Sequence, residues 1–185
     1  GLCVNASCSA QLVRLVEHFV GKGGMDIEGL GSMQSAMLIN KGIIKDVSDI
    51  YYLKPEDLTE LDRMGEKSVS NLIAAIQSSK QQPLSRVVAA LGISHVGSEI
   101  SELLAQHFGS MDALTTVTEE ELIPVPSIGP KIAASVTAYF AKESNKQMIA
   151  RLREAGVTME RVSPDKPTEQ TLTGLRFTVT GRLNR

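Results

Sequence analysis

The chain has no tryptophan, and phenylalanine and tyrosine bring its aromatic content to only 4%. A protein that stacks unpaired bases on aromatic platforms needs more rings than this, so that mode of recognition is disfavoured. There are two cysteines, Cys3 and Cys8, too few for a disulfide framework. No apolar run approaches bilayer length, and no membrane partner is expected. The opening Gly-Leu-Cys-Val-Asn carries neither the basic nor the apolar segment of a signal peptide. A basic excess is missing too: 19 lysines and arginines face 21 acidic residues, for a net charge of −2. Residues 1–110 hold 9 basic and 12 acidic side chains, and residues 111–185 hold 10 and 9. Neither half is a basic tail. A polyanion would have to be held by directed backbone donors and a few local cations. Nor is there a nucleophile elbow, a Walker loop or a zinc-protease helix. With 42% apolar residues in 185, one substantial domain with flanking pieces can be built.

What the chain does have is a repeat. Four segments share an apolar residue, an apolar residue three positions later, glycine, a mostly small residue and a further apolar residue. The copies are Ile27, Leu30, Gly31, Ser35, Leu38; Leu61, Met64, Gly65, Val69, Leu72; Ile93, Val96, Gly97, Ser101, Leu104; and Val125, Ile128, Gly129, Ala133, Val136. The glycines lie 34, 32 and 32 residues apart, the mark of a repeated supersecondary unit. Each copy predicts helix, tight turn, helix. The turns are Gly29-Leu30-Gly31, Arg63-Met64-Gly65, His95-Val96-Gly97 and Ser127-Ile128-Gly129. The middle apolar residue should plug back between its helices. The glycine is expected to supply a positive φ and to let another backbone come close. The amides just after it open a helix, unpaired and at the positive end of the dipole, where a phosphate can bind. One such copy reads as a plain helical hairpin as easily as a phosphate clamp. Four copies sharing five positions favour the clamp.

The copies differ in local charge. The first offers Gly29, Gly31 and Ser32, neutral and open; the second offers Arg63 and Lys67 with Gly65; the fourth offers Lys131 with Gly129. The third has His95 and Gly97, the histidine as an exposed turn residue within reach of phosphate, but Glu99 and Glu102 follow and disfavour an anion.

Apolar spacing and punctuation fill in the rest. Helices are predicted over Leu12–Val20, near 32–40, around Val47–Tyr51, from Pro55, along Val69–Ile76, along Leu84–Leu91, along Ile100–Phe108 up to Gly109, from Pro130, and over 145–154 up to Gly156. Thr118-Glu119-Glu120-Glu121 reads as a capping box. Residues 25–158 are thus predicted almost wholly helical. Residues 159–171 are polar with two prolines and read as a linker. Leu175, Phe177 and Val179 then alternate with polar residues as a strand does, so a new domain is expected to start near 172 and to continue past the last residue. Cys3 and Cys8 have the four-residue spacing of a zinc knuckle, but a structural site takes four ligands. His18 is a candidate third ligand, but its place before Phe19 on an apolar helix face favours a structural role. His107, near a helix end, needs no function.

These motifs resemble one family. A C-x4-C knuckle is followed by Ser9-Ala-Gln11, Met25-Asp-Ile-Glu-Gly-Leu-Gly31, Met64-Gly-Glu-Lys-Ser68, Leu91-Gly-Ile-Ser-His-Val-Gly97, Ile128-Gly-Pro-Lys-Ile132 and Thr173-Gly-Leu-Arg-Phe-Thr-Val-Thr-Gly181. The order is similar to that of the C-terminal half of bacterial NAD-dependent DNA ligase, across essentially the whole chain. The resemblance implies a mainly α fold: residues 1–20 as the end of a four-cysteine zinc finger, 25–158 as a domain of four tandem helix-hairpin-helix motifs, and 172–185 as the start of an α/β BRCT domain. It implies a cytoplasmic, nucleoid-associated monomer that binds nicked double-stranded DNA in the minor groove. It implies Zn2+ at Cys3 and Cys8 as half a site. In such ligases a lysine takes AMP from NAD with Mg2+, AMP passes to the 5′-phosphate, and the 3′-hydroxyl displaces it. That lysine sits in a Lys-x-Asp-Gly motif, which does not occur here, so the chain is expected to be inactive alone. Arg63 departs from the family, which often has glycine there. A helix-hairpin-helix module of another repair protein and a helical protein-interaction domain stay open as alternatives.

Overall fold

The computed structural model describes residues 9–61 and 64–161. Ten α-helices occupy them: α1 Ser9–Val20, α2 Ser32–Asn40, α3 Pro55–Thr59, α4 Glu66–Ser79, α5 Leu84–Ala90, α6 Ser98–Phe108, α7 Met111–Thr115, α8 Glu119–Leu122, α9 Pro130–Ala141 and α10 Glu143–Glu154. A 3-10 helix, Val47–Tyr52, follows α2. No strand occurs among the described residues; one isolated antiparallel bridge joins Ser110 and Glu160.

The repeat positions are the core. Ile27, Leu61, Ile93 and Val125 are buried, as are Leu38, Leu72, Leu104 and Val136 one helical turn beyond the small residue. The turn plugs Leu30, Val96 and Ile128 are buried too, and Met64 is half-buried. Ser35, Ser101 and Ala133 are fully buried, where a larger side chain would push the paired helices apart. Ser101 Oγ donates to the Gly97 carbonyl at 2.7 Å. Ser35 Oγ has no partner among the described residues.

Local signals set most helix ends. Pro55 and Pro130 stand at the first helical position, where their missing N–H costs nothing. The Thr118 N–H donates to Glu121 Oε2 at 2.9 Å, as the sequence predicted. Gly109 closes α6 with φ of +76°, which glycine adopts without strain. Ser110 opens α7 by accepting from the Ala113 N–H at 3.2 Å. That five-residue helix has no counterpart in the sequence reading.

Two expectations need amendment. First, α1 does not stand apart from the helical domain: Val16 and Phe19 are fully buried, and Phe19 meets Tyr51 edge-on with ring centroids 6.1 Å apart. It is the leading helix of the first hairpin, reached by a turn over Gly21–Met25 rather than a tight connection. Second, residues 159–161 do not hang free as a linker. Met159 accepts from the Met111 N–H at 2.8 Å and the Arg161 N–H donates to Gly109 at 2.8 Å. Just before them, Thr158 N–H and Oγ1 donate to Lys80 O at 3.1 and 2.9 Å. Within the core, Tyr51 is a buried phenol whose OH shares a 2.9 Å hydrogen bond with Ser79. Burial pushes it up to about 12 against the smaller opposing pull of that bond, so it packs as a neutral side chain. Cys3, Cys8, Arg63 and the strand expected near 172–185 lie outside the described residues.

Candidate nucleic-acid interface

Three of the four hairpin turns, the second, third and fourth, close with the same backbone bond. The Val96 N–H donates to Ile93 O at 3.1 Å, Ile128 to Val125 at 3.1 Å, and Met64 to Leu61 at 3.3 Å. Each following helix makes its first bond back to the glycine: Ser35 to Gly31 at 2.9 Å, Val69 to Gly65 at 3.0 Å, Ser101 to Gly97 at 2.9 Å and Ala133 to Gly129 at 3.0 Å. The amides in between belong to the first turn and have no carbonyl partner in their own helix. No side chain caps any of the four. The contrast lies in the same molecule: Asp46 accepts from the Ser48 N–H at 2.8 Å to start the 3-10 helix, and Ser110 caps α7. In the fourth hairpin Pro130 removes one donor, leaving the amides of Lys131 and Ile132.

The positive φ is not where the sequence placed it. Gly31, Gly65, Gly97 and Gly129 are extended, with φ of −80°, −78°, −91° and −88°. A residue that precedes a helix takes β-region angles, so these positions never needed the left-handed region. The left-handed residue comes two positions earlier: Gly29 at +100°, His95 at +65° and Ser127 at +69°. Only the first of these is glycine; histidine and serine bear the strain of the conformation.

Nor does packing require the helix-opening glycines. A Cβ added at Gly65, Gly97 or Gly129 would have nothing within 4 Å, and at Gly31 it would meet only the end of the Gln34 side chain. Neither backbone angle nor internal contact explains the repeated glycine. The space beside three of these glycines is open to a group from outside the chain.

Gly29, Gly31, Ser32, Gly65, Lys67, His95, Gly97 and Lys131 are exposed, and Gly129 is half-buried. Glu99 and Glu102 are exposed at the third hairpin. The Gln106 amide donates to Glu102 at 2.8 Å and, as the largest influence, holds its carboxyl below the usual range, so the third mouth stays negative. His18 Nε2 donates to the Ala89 carbonyl at 2.8 Å, a structural bond that takes this nitrogen away from any metal. No group of three or more histidine, cysteine, aspartate or glutamate side chains able to hold a metal occurs among the described residues. No helix among these residues is long and apolar enough to cross a membrane.

Comparison with known proteins agrees with the geometry. Residues 25–78 match the family model of the SAM-like helix-hairpin-helix tandem, and residues 86–149 match that of the helix-hairpin-helix motif. The chain is 48% identical over 183 residues to a DNA ligase of Dehalococcoides mccartyi (strain CBDB1), covering 98% of this chain and 27% of the relative. The chain matches the helix-hairpin-helix region of bacterial DNA ligases. It is 46% identical over 184 residues to a DNA ligase of Syntrophus aciditrophicus (strain SB), with 99% of the chain and 27% of the relative covered. A DNA ligase of Caldicellulosiruptor bescii is 45% identical over 183 residues, again with 99% and 27% covered. The chain thus spans about a quarter of the length of these ligases.

Proposed function

We propose that this helix-hairpin-helix chain grips double-stranded DNA by its phosphates, without reading sequence, and so seats a DNA ligase on a nick. One observation carries the reading. Glycines open three hairpins at positions where a side chain would fit both the backbone angles and the free space. A phosphate approaching the uncapped amides supplies the missing constraint. Such contacts fix position on a duplex and carry no base information.

The second and fourth hairpins are the stronger grips, because Lys67 and Lys131 stand beside their free amides, and Arg63 adds to the second. The first contributes amides from Ser32 onward, past Gly29 and Gly31. The third, with His95 and Gly97 facing Glu99 and Glu102, serves packing more than binding. On this reading the parent is an NAD-dependent ligase of the bacterial cytoplasm that acts as a monomer in replication and repair. Its adenylated lysine, NAD and Mg2+ belong to a domain outside this chain. Zn2+ would be shared between Cys3, Cys8 and residues outside the chain, and the strand pattern near 172–185 would begin a BRCT domain.

The test is titration of a labelled nicked duplex at several salt concentrations. Weak binding, indifferent to sequence and falling with salt, is expected. Failure to bind at low salt, or strong preference for one sequence, refutes it.

A further inference from the structure

Two arginines join the halves of the helical body and serve no hairpin mouth. Hairpins one and two precede Lys80; hairpins three and four follow Pro83. Arg86, on α5, donates from Nε to the Gly24 carbonyl at 2.8 Å and from Nη2 to the Lys22 carbonyl. Beside it, Gln82 Nε2 reaches the Met25 carbonyl at 3.2 Å. These acceptors lie just past the C-terminal end of α1, where the helix dipole favours a cation. The loop they belong to is wedged in place: a Cβ at Gly24 would lie 2.6 Å from Phe19 O and 3.2 Å from the Ala90 side chain. The same loop runs on to the first hairpin turn.

Arg151, on α10, makes the second tie. Its Nη2 meets Asp49 Oδ1 at 2.6 Å, and its Nη1 lies 3.6 Å from Asp46 and 3.1 Å from Ser48 Oγ. The guanidinium stands 4.8 Å from the centre of the Tyr52 ring, and the Tyr52 hydroxyl donates to the Arg151 carbonyl at 2.9 Å. Both arginines sit in the second half and reach into the first. Both use the planar fork to hold two or more acceptors at once, which a lysine ammonium cannot reproduce.

We propose that Arg86 and Arg151 are positioning residues that hold the two hairpin pairs at a fixed spacing, so that both seat on one duplex together. The proposal rests on the DNA-binding reading above. Two linked grips reinforce each other only when their separation matches the sites they span. A fixed spacing lets a chain of net charge −2 hold DNA through a few weak contacts.

The experiment uses Arg86→Lys, Arg151→Lys and the double variant in the full chain, with circular dichroism to establish folding. Each is titrated against a long nicked duplex and against one too short to reach both pairs. The wild type should favour the long duplex. The double variant should lose about tenfold on the long duplex, the gain from linkage being of that order or greater, and nothing on the short one. Equal loss on both duplexes, no loss on the long one, or a wild type indifferent to length would overturn the proposal. Hydrogen exchange without DNA supplies a separate readout. Exchange should rise over 21–25 in Arg86→Lys and over 47–52 in Arg151→Lys; unchanged exchange refutes the ties whatever the DNA result. A wild type that binds neither duplex, with exchange raised as expected, removes the DNA reading and the positioning role with it, while leaving the ties themselves standing.

Discussion

Replacing Gly65 by serine should make the protein more stable and its DNA binding weaker. The backbone at Gly65 has φ −78° and ψ 166°, ordinary for the residue that precedes a helix, and the added Cβ enters empty space. A serine there can accept from the amide of Lys67 or Ser68, as Ser110 does from Ala113 at 3.2 Å. Serine exceeds glycine as a helix cap by a few tenths of a kcal/mol. Loss of glycine's freedom in the unfolded chain adds about 0.4–1 kcal/mol. The sum is about 1 kcal/mol, or roughly 2–4 °C in Tm for a chain of this size. The same hydroxyl occupies an amide that the phosphate needs. A hydrogen bond to a charged group contributes about 1.5–3 kcal/mol, so losing one lowers affinity by about tenfold or more. Thermal unfolding followed by circular dichroism and anisotropy of a labelled nicked duplex measure the two effects. A raised Tm with unchanged affinity would show that these amides do not hold phosphate. A lowered Tm would show that the space around Gly65 is not open.

The remaining expectations follow from the same geometry. Gly129→Ser should behave like Gly65→Ser, whereas Gly97→Ser should cost less affinity because Glu99 and Glu102 already repel phosphate there; equal losses at all three in the anisotropy assay would refute the ranking. Lys67→Ala and Lys131→Ala should each reduce the log–log salt slope by about 0.9 if each neutralises one phosphate, and an unchanged slope would place these lysines away from DNA. Ser35→Ala should raise stability by about 1 kcal/mol, since it removes a buried hydroxyl without a partner, and a lower midpoint in urea unfolding would contradict this. Incubation with NAD should leave no adenylate on the chain, and dialysis should leave no stoichiometric zinc, as read by mass spectrometry and metal analysis.

The repeat was legible because burial wrote it. Ile93, Val96, Ser101 and Leu104 recur in kind wherever two helices must close on a turn, and all four are buried. Capping residues with strong chemistry, Pro55, Pro130 and Thr118 with Glu121, marked their helices in the same way. The left-handed residues were not legible. His95 and Ser127 adopt positive φ because the turn demands it, although neither residue type announces it. The eye goes instead to the glycine two positions later, which is extended. Helix α7 escaped because five residues cannot display a helical period. The union of α1 with the body escaped because Val16 and Phe19 reveal an apolar face but not what covers it. Arg86 escaped for a related reason: its acceptors are backbone carbonyls some sixty residues away, which leave no trace in side-chain pattern.

Net charge misleads here because it counts acid that is engaged away from the hairpin mouths. Asp46 and Asp49 face Arg151, Asp112 faces Arg153, and Glu60 faces Lys41. Asp57 and Glu121 are turned onto the backbone amides of Lys54 and Thr118. Beyond about 8–10 Å, exposed charges are largely screened at physiological salt, so what a phosphate meets is local. At the fourth hairpin that is Lys131 with two uncapped amides; at the second it is Lys67 with three, opposed within the first helical turn by Glu66. A near-neutral chain can therefore present two cationic mouths. The same argument limits their strength: with few phosphates neutralised, binding must be weak and only moderately salt-dependent. A grip of that kind suits a region that spans about a quarter of the ligases it matches.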